Sequence, residues 1–139
     1  MSQPTAGLAF ELLERERVVV SYAGPHANRQ DEWDRYIELM QARTDASMRF
    51  LVLHDGSAPT VRDQQRIGSI ARPHRPLVAL VSSSNALRFV ASAFSLINRR
   101  IRFFAPDDMD AALSHLELRD WEKQSVLECV DRLKAMAAP

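Results

Sequence analysis

The segment Leu77–Leu116 constrains the fold of this chain most, because two continuous apolar runs alternate in it with two helical patterns. The first run reads LVALVSSS, and the second opens the stretch IRFFAPDDMDAALSHL. A continuous apolar run is typical of a parallel strand buried on both faces, and the serines and Asn85 that end the first run are typical of a helix N-cap. The succession of strand, helix, strand and helix predicts an α/β fold, in which ligands bind at the carboxyl ends of the strands.

The rest of the chain predicts further elements of the same fold. Leu8–Leu13 and Val18–Tyr22 are β-prone runs around four charged residues, and we expect an antiparallel hairpin there at the edge of the sheet. The helical patterns repeat apolar residues at the spacing of one buried face. The elements predicted after the hairpin are a helix from Asn28 to about Arg43 that buries Trp33, Tyr36, Ile37 and Met40, the strand Phe50–Leu53, a helix capped by Thr60 and ending near Arg72, the strand that begins at Leu77, the helix Asn85–Asn98, the strand Ile101–Ala105, a helix opened by Pro106, and a last helix, Trp121–Ala137.

Composition excludes several classes of protein. A chain of 139 residues is long enough for one domain with a substantial core, and its 18 basic and 18 acidic residues leave no net charge. The long-range attraction that carries most nucleic-acid or anionic-membrane binding is therefore missing, which leaves only a local patch for such a partner. No aromatic residues alternate with the arginines to stack on single strands. The single cysteine, Cys129, makes no internal disulfide, and no signal peptide or membrane-spanning run is recognisable. We expect a cytoplasmic protein with no nucleic-acid partner and no membrane insertion.

Basic residues nevertheless gather in two neighbourhoods. In a chain without net charge they are interpreted first as solvated charge, and an acidic protein partner is the alternative. The first neighbourhood contains Arg62, Arg66, Arg72, His74 and Arg75, and the second contains Arg99, Arg100 and Arg102.

The order of the elements, a leading hairpin followed by βα units, resembles the SpoIIAA-like or STAS domains, the anti-sigma-factor antagonist fold, and their SEC14-related cousins. The resemblance covers roughly residues 8–118, and the pieces that carry it are LVALVSSSNALRFVASAF and IRFFAPDDMDAALSHL. It implies one domain built on a mixed sheet of about five strands, with residues 119–139 as a helical extension packed on the same domain.

The resemblance also implies a candidate phospho-switch. In the regulatory members of this family, a partner kinase phosphorylates a serine or threonine at the start of the helix after the third strand, which switches binding on and off. The matching region here is His54–Thr60, in which Asp55 matches the acidic residue that closes the strand and Ser57 or Thr60 occupies the switch position. The region departs from the family's Asp-Ser-Ser/Thr-Gly pattern, because no glycine follows a paired hydroxyl.

A candidate ligand rim follows from the parallel strands, whose carboxyl ends lie at one edge of the sheet. Hydroxyls and N–H groups at the start of the Asn85 helix could hold a phosphate or carboxylate, or the serines could only cap and turn the chain. The histidines and carboxylates match no metal motif, SSSN is not a Gly-x-Ser-x-Gly elbow, and four glycines leave no phosphate loop, so we predict no metal and no cofactor. The candidate rim residues are His26, His54, Asp55, Ser82, Ser83, Ser84 and Asn85.

The helix Asn85–Asn98 has two apolar faces. One is expected to pack on the sheet. The other, formed by Phe89, Ala93 and Leu96, is either covered by the C-terminal helix or exposed as a patch for self-association or an apolar ligand. If it is an interface between copies, Phe89→Asp together with Leu96→Asp breaks an oligomer in solution and leaves the monomer folded, whereas an unchanged mass or an unfolded chain would count against the interface.

Three functions are compatible with these patterns. The resemblance favours a non-catalytic regulatory module that binds a protein partner such as a kinase, self-associates, and is switched by phosphorylation. One alternative is a carrier or sensor of a small apolar or lipid-like ligand, which predicts an enclosed cavity. The other is a small hydrolase at the serine-rich turn, which predicts a histidine within hydrogen-bond reach of a serine hydroxyl.

Overall fold

The computed structural model describes residues 7–25, 29–55, 59–96 and 98–137. The strands are β1 (Leu8–Leu13), β2 (Val18–Ala23), β3 (Arg49–His54), β4 (Leu77–Ser82) and β5 (Ile101–Phe104). The helices are α1 (Gln30–Arg43), α2 (Val61–His74), α3 (Asn85–Ser95), α4 (Met109–His115) and α5 (Asp120–Ala137), and a short 3-10 helix, Pro106–Asp108, precedes α4. No helix in these ranges combines the length and the apolar character that crossing a bilayer requires.

The strands form one mixed sheet in the order β1-β2-β3-β4-β5. β1 and β2 pair antiparallel, and the pairs β2–β3, β3–β4 and β4–β5 are parallel. The α/β fold with a leading hairpin is therefore confirmed. Each parallel pair is joined by a helix, and because such crossovers share one hand, a sheet that grows in one direction collects α1, α2 and α3 on the same face.

The opposite face of the sheet is covered by α4 and α5. Val20, Leu51 and Val81 point to this side, where they share a core with Leu113 of α4 and Leu133 of α5. The last helix buries the side chains that the sequence predicted, Val126, Val130, Leu133 and Ala137.

The position of α5 overturns one expectation. We considered that the C-terminal helix covers the second apolar face of α3. It packs instead on β1 and β2, on the other side of the sheet. The interpretation that α5 covers α3 is wrong because the three crossover helices already occupy the α3 side of the sheet. The apolar face of α5 packs instead on the opposite face, which the crossover helices do not cover.

The helix ends follow from local hydrogen bonds. The predicted cap of α1, Asn28, lies outside the described residues, and Arg29 is the N-cap, with its N–H donating to the Glu32 carboxylate at 3.0 Å. Thr60 caps α2 as predicted, because its Oγ1 accepts from the N–H of Asp63 at 3.2 Å. α3 ends at Ser95 rather than at Asn98, whose side-chain amide is buried and donates to the carbonyl of Pro76 at 2.9 Å.

Candidate functional site: an apolar cavity under three helices

A cavity of about 120 Å³ lies between the sheet and the helices α1, α2 and α3. It is partly open to the surface, and its exposed lining is almost entirely apolar. Strands β2 to β5 supply its floor through Ser21, Phe50, Val52, His54, Val78, Leu80 and Ile101. The helices supply its roof through Trp33, Tyr36, Met40, Ile67, Gly68, Ala71, Leu87, Val90, Ala91 and Phe94, and Pro59 and Pro76 complete the walls.

The space exists because small side chains occupy positions where large ones would fill the core. Ser21 on the sheet, Gly68 and Ala71 on α2, and Ala91 on α3 all line it. Helix α2 also buries little, since only Asp63 among its residues is buried. A closely packed interior normally leaves few voids larger than one water molecule, so a cavity of this size is a built feature of this face.

Two hydroxyl groups lie on the cavity wall nearest α1. The side chains of Ser21 and Tyr36 are both buried, and both line the cavity. Burial raises the pKa of Tyr36 to about 12, although the Ser21 hydroxyl acts in the opposite direction. The phenol is therefore neutral at physiological pH.

His54 differs from these hydroxyls because part of its hydrogen-bonding capacity is unused. Its ring is 3% exposed and stacks on Trp33, with the ring centroids 5.9 Å apart and the planes 25° from parallel. Burial lowers the pKa of His54 to about 4, and the neighbouring Asp55 only partly opposes this, so the imidazole is neutral at pH 7. Among the described residues, Nδ1 of His54 has no hydrogen-bond partner. A neutral imidazole nitrogen that is buried and unpaired costs about 1–3 kcal/mol.

At the seam between α2 and α3 the cavity adjoins a groove on the surface. Gly68 and Phe94 line the cavity and also line a groove on the outside of the two helices. A Cβ placed on Gly68 would lie 3.2 Å from Cε1 of Phe94, so the aromatic ring already rests on the glycine backbone. The cavity and the outer groove therefore adjoin at Phe94 and Gly68.

Most of the predicted rim residues serve local structure at the carboxyl edge of the sheet. Asp55 is exposed and accepts a hydrogen bond from the Tyr22 hydroxyl at 2.9 Å. Ser82 Oγ accepts from the N–H of Ser84 at 3.0 Å, and Ser84 Oγ caps α3 by accepting from the N–H of Leu87 at 3.3 Å. Ser83 and Asn85 are exposed, and His26 lies outside the described residues. Of the described rim residues, His54 alone lines the cavity.

The hydrolase interpretation requires a histidine bonded to a serine hydroxyl. Within the described ranges, Nδ1 of His54 bonds to no serine, and the nearby Ser82 hydroxyl is engaged with the backbone of Ser84. The described residues also contain no group of three or more histidine, cysteine, aspartate or glutamate side chains that could hold a metal ion.

The other predicted site residues lie on the surface. Thr60 is exposed at the N-terminus of α2, and Ser57 lies outside the described residues. Phe89 is 78% exposed and Leu96 is 87% exposed, and Ala93 between them is also exposed. The second face of α3 therefore has no cover within the described part of the chain.

Sequence reasoning missed Ser21 and Tyr36 as residues of the candidate site. A serine inside the apolar strand VVVSYA was a signal, because a polar residue on a buried strand needs a buried partner. Tyr36 was assigned only to the buried face of its helix.

Compared with family models, with curated proteins and with solved structures, the chain has no match.

Proposed function

We propose that this protein binds one small, mostly apolar molecule that carries a single neutral hydrogen-bonding group. The observation that supports this most is His54, a buried imidazole that lines an apolar cavity and whose Nδ1 has no hydrogen-bond partner among the described residues. Ligand sites are typically apolar concavities with a few convergent polar groups, and this cavity has that composition. The carrier interpretation of the sequence expected such a cavity, although a fully enclosed one.

The volume limits the size of the ligand. An engineered apolar cavity of about 150 Å³ admits benzene, so the cavity here, at about 120 Å³, fits a single ring or a short branched chain. The described residues that line it are apolar except for Ser21, Tyr36 and His54. Since His54 and Tyr36 are neutral, an ionised carboxylate or amine would enter without a counter-charge, which is strongly unfavourable. A hydroxyl or carbonyl group is the expected polar function.

The test compares phenol, benzene and benzoate as probes in an NMR titration. The indole signal of Trp33 should shift, because Trp33 lines the cavity, and that of Trp121, which is half exposed on α5, should not. Phenol should bind about tenfold more tightly than benzene, since one added hydrogen bond contributes about 1 kcal/mol or slightly more, and benzoate should not bind. His54→Leu should remove the preference for phenol and keep benzene binding, and Ser83→Ala is the matched control on the exposed rim.

A second pair of variants locates the ligand. Ala91→Leu fills the cavity and should abolish the shift of Trp33, whereas Ala93→Leu adds the same atoms to the exposed face of α3 and should change nothing. Equal binding of phenol and benzene by the wild type would contradict the proposed role of His54. Unchanged binding in a folded Ala91→Leu variant would show that the probe sits elsewhere.

We propose as a second candidate the regulatory module that the resemblance to STAS domains implies. The supporting observation is the exposed Thr60 at the N-terminus of α2, where an added phosphate interacts favourably with the helix dipole. Incubation with ATP and kinases from the protein's own cells, followed by mass spectrometry, should find phosphate on Ser57 or Thr60. Both residues unmodified would remove the support for the switch. This second proposal includes three statements: the chain is a member of the STAS family, it binds a protein partner, and it self-associates.

A further inference from the structure

Charge is strongly segregated along this chain although its net charge is zero. Residues 59–105, which contain α2, β4, α3 and β5, include eight arginines and one acidic residue, Asp63. This segment carries a formal charge of +7, so the rest of the chain carries −7. Asp63 is 1% exposed and contributes nothing to the surface that solvent or a partner meets.

The arginines of this segment are largely uncompensated. Arg66 pairs with Asp34 at 2.8 Å and with Asp63 at 3.2 Å. The other seven are exposed, and within the described ranges none has a carboxylate within ion-pair distance. These seven are Arg62, Arg72, Arg75, Arg88, Arg99, Arg100 and Arg102.

Apolar side chains project from the same region. Phe89 and Leu96 are two helical turns apart on α3, on the side opposite the buried Leu87 and Ala91. Helix α3 contains no acidic residue, and its outward face between the two large side chains consists of small ones such as Ala93. Together with Ala93 the two large side chains form an exposed apolar strip, and contiguous apolar surface of this kind marks sites of interaction with proteins or membranes.

We propose that the outward face of α2 and α3 docks on an anionic lipid bilayer. In this arrangement Phe89 and Leu96 enter the boundary of the hydrocarbon layer, and the surrounding arginines contact lipid phosphates. Helices that lie in the membrane interface combine these two features, an apolar face and basic residues beside it. Such a helix does not span the bilayer. The α2–α3 surface is defined by Phe89, Leu96 and the exposed arginines at the C-terminal ends of α2 and α3, which are Arg72, Arg75, Arg99 and Arg100.

A bilayer fits this surface better than a second copy of the chain. A two-fold dimer through α3 would bring the uncompensated arginines of both copies together, which is electrostatically unfavourable. Two projecting side chains also bury far less than the roughly 800 Å² per partner of a stable protein interface. A fluid bilayer needs no shape complementarity. Its phosphates lie at the level of the arginine guanidinium groups, and its hydrocarbon lies deeper, at the level of the phenylalanine ring.

The seam between α2 and α3 opens on this surface. Phe94 and Gly68 line both the cavity and the outer groove, so a docked protein could take an apolar molecule directly from the bilayer. This last step rests on the proposed ligand binding. The docking itself depends only on the exposed side chains and their charge.

The experiment is co-sedimentation of the full chain with phosphatidylcholine vesicles that contain or lack phosphatidylglycerol. The wild type should sediment with the anionic vesicles at low salt, release as salt rises, and ignore pure phosphatidylcholine. Phe89→Ser with Leu96→Ser should weaken the partition roughly tenfold or more, since each side chain gives up a large part of its transfer free energy. The matched control is Leu127→Ser with Met136→Ser, a pair of exposed residues on α5, which should bind as the wild type does.

A charge pair tests the second component. Arg99→Gln with Arg100→Gln should also weaken binding about tenfold or more, at roughly 1 kcal/mol per arginine, whereas Arg15→Gln with Arg35→Gln on other surfaces should not. Absence of wild-type sedimentation at low salt would overturn the proposal. So would equal losses in the control pairs, or a loss of self-association rather than of vesicle binding in the Phe89/Leu96 variant. Phenol titration of that variant separates the two proposals, because the cavity does not include Phe89 or Leu96.

Discussion

Replacing His54 with phenylalanine keeps a flat ring against Trp33 but removes a titrating group from the cavity wall. The unfolded chain protonates this histidine near its ordinary pKa of 6.5, whereas burial lowers the pKa in the folded protein to about 4. Between these values the unfolded state binds more protons than the folded state. The free energy of unfolding must therefore fall as the pH falls through this window, and His54 contributes no further loss below it.

The size of the effect follows from the two pKa values. Relative to pH 8, linkage gives a loss of about 2 kcal/mol at pH 5 and about 3 kcal/mol at pH 4 from His54 alone. This is a large fraction of the 5–15 kcal/mol, roughly, that stabilises a typical domain. The variant keeps every carboxylate of the wild type, so the difference between the two curves reports on His54.

The assay is urea unfolding at closely spaced pH values from 8 to 4, followed by far-UV circular dichroism. The wild type should lose stability in the window, and His54→Phe should show a correspondingly flatter dependence. His74→Gln, at the exposed end of α2, is the matched control and should follow the wild type. Parallel curves for wild type and His54→Phe would refute the reasoning, because they would show that the folded protein protonates His54 as readily as the unfolded chain does.

Three further substitutions or reactions test the packing on which the site depends. Arg49→Met should cost about 3 kcal/mol in urea unfolding, because it removes the ion-pair partner, at 3.0 Å, of the largely buried Glu122 carboxylate and leaves it only the N–H of Arg119. The control Arg35→Met, at an exposed pair, should cost under about 0.5 kcal/mol. Cys129, fully buried with its pKa raised to about 11 mainly by burial, should resist a thiol reagent until urea unfolds the protein, and rapid native labelling would contradict its position. Thr60→Ala should lower the free energy of unfolding by about 1 kcal/mol through the lost cap of α2, and an unchanged midpoint would show that the cap contributes nothing.

Local patterns predicted the secondary structure well because periodicity reflects which side of each element is buried. The stripe of α1, Trp33, Tyr36, Ile37 and Met40, is buried as expected, and so is the apolar run that became β4. The end of α3 was misplaced because Asn98 continues the polar and apolar rhythm of the helix, although its side chain bonds to the backbone of Pro76. A hydrogen bond to a distant residue leaves no trace in a periodic pattern.

The candidate site was predicted much less completely than the fold. His54 was singled out because it ends a strand at the ligand-binding edge of a parallel sheet, and it does line the cavity. The serines near β4 were singled out for the same reason, but they cap and turn the chain. Ser21 and Tyr36 meet at the cavity, and space is left beside Gly68 and Ala91. Both features depend on how the three helices pack on the sheet.

The sequence by itself determined the order of the elements, the mixed sheet and the buried faces of the helices, because each of these is written in the spacing of neighbouring residues. It also contained the segregation of arginine into residues 59–105, which only the count by segment reveals. The tertiary structure alone decided that α5 packs on the far side of the sheet, and therefore that Phe89 and Leu96 are exposed. It alone decided that a cavity opens beside His54, because voids arise where the shapes of separate elements fail to fill the space between them, and no local pattern encodes that fit.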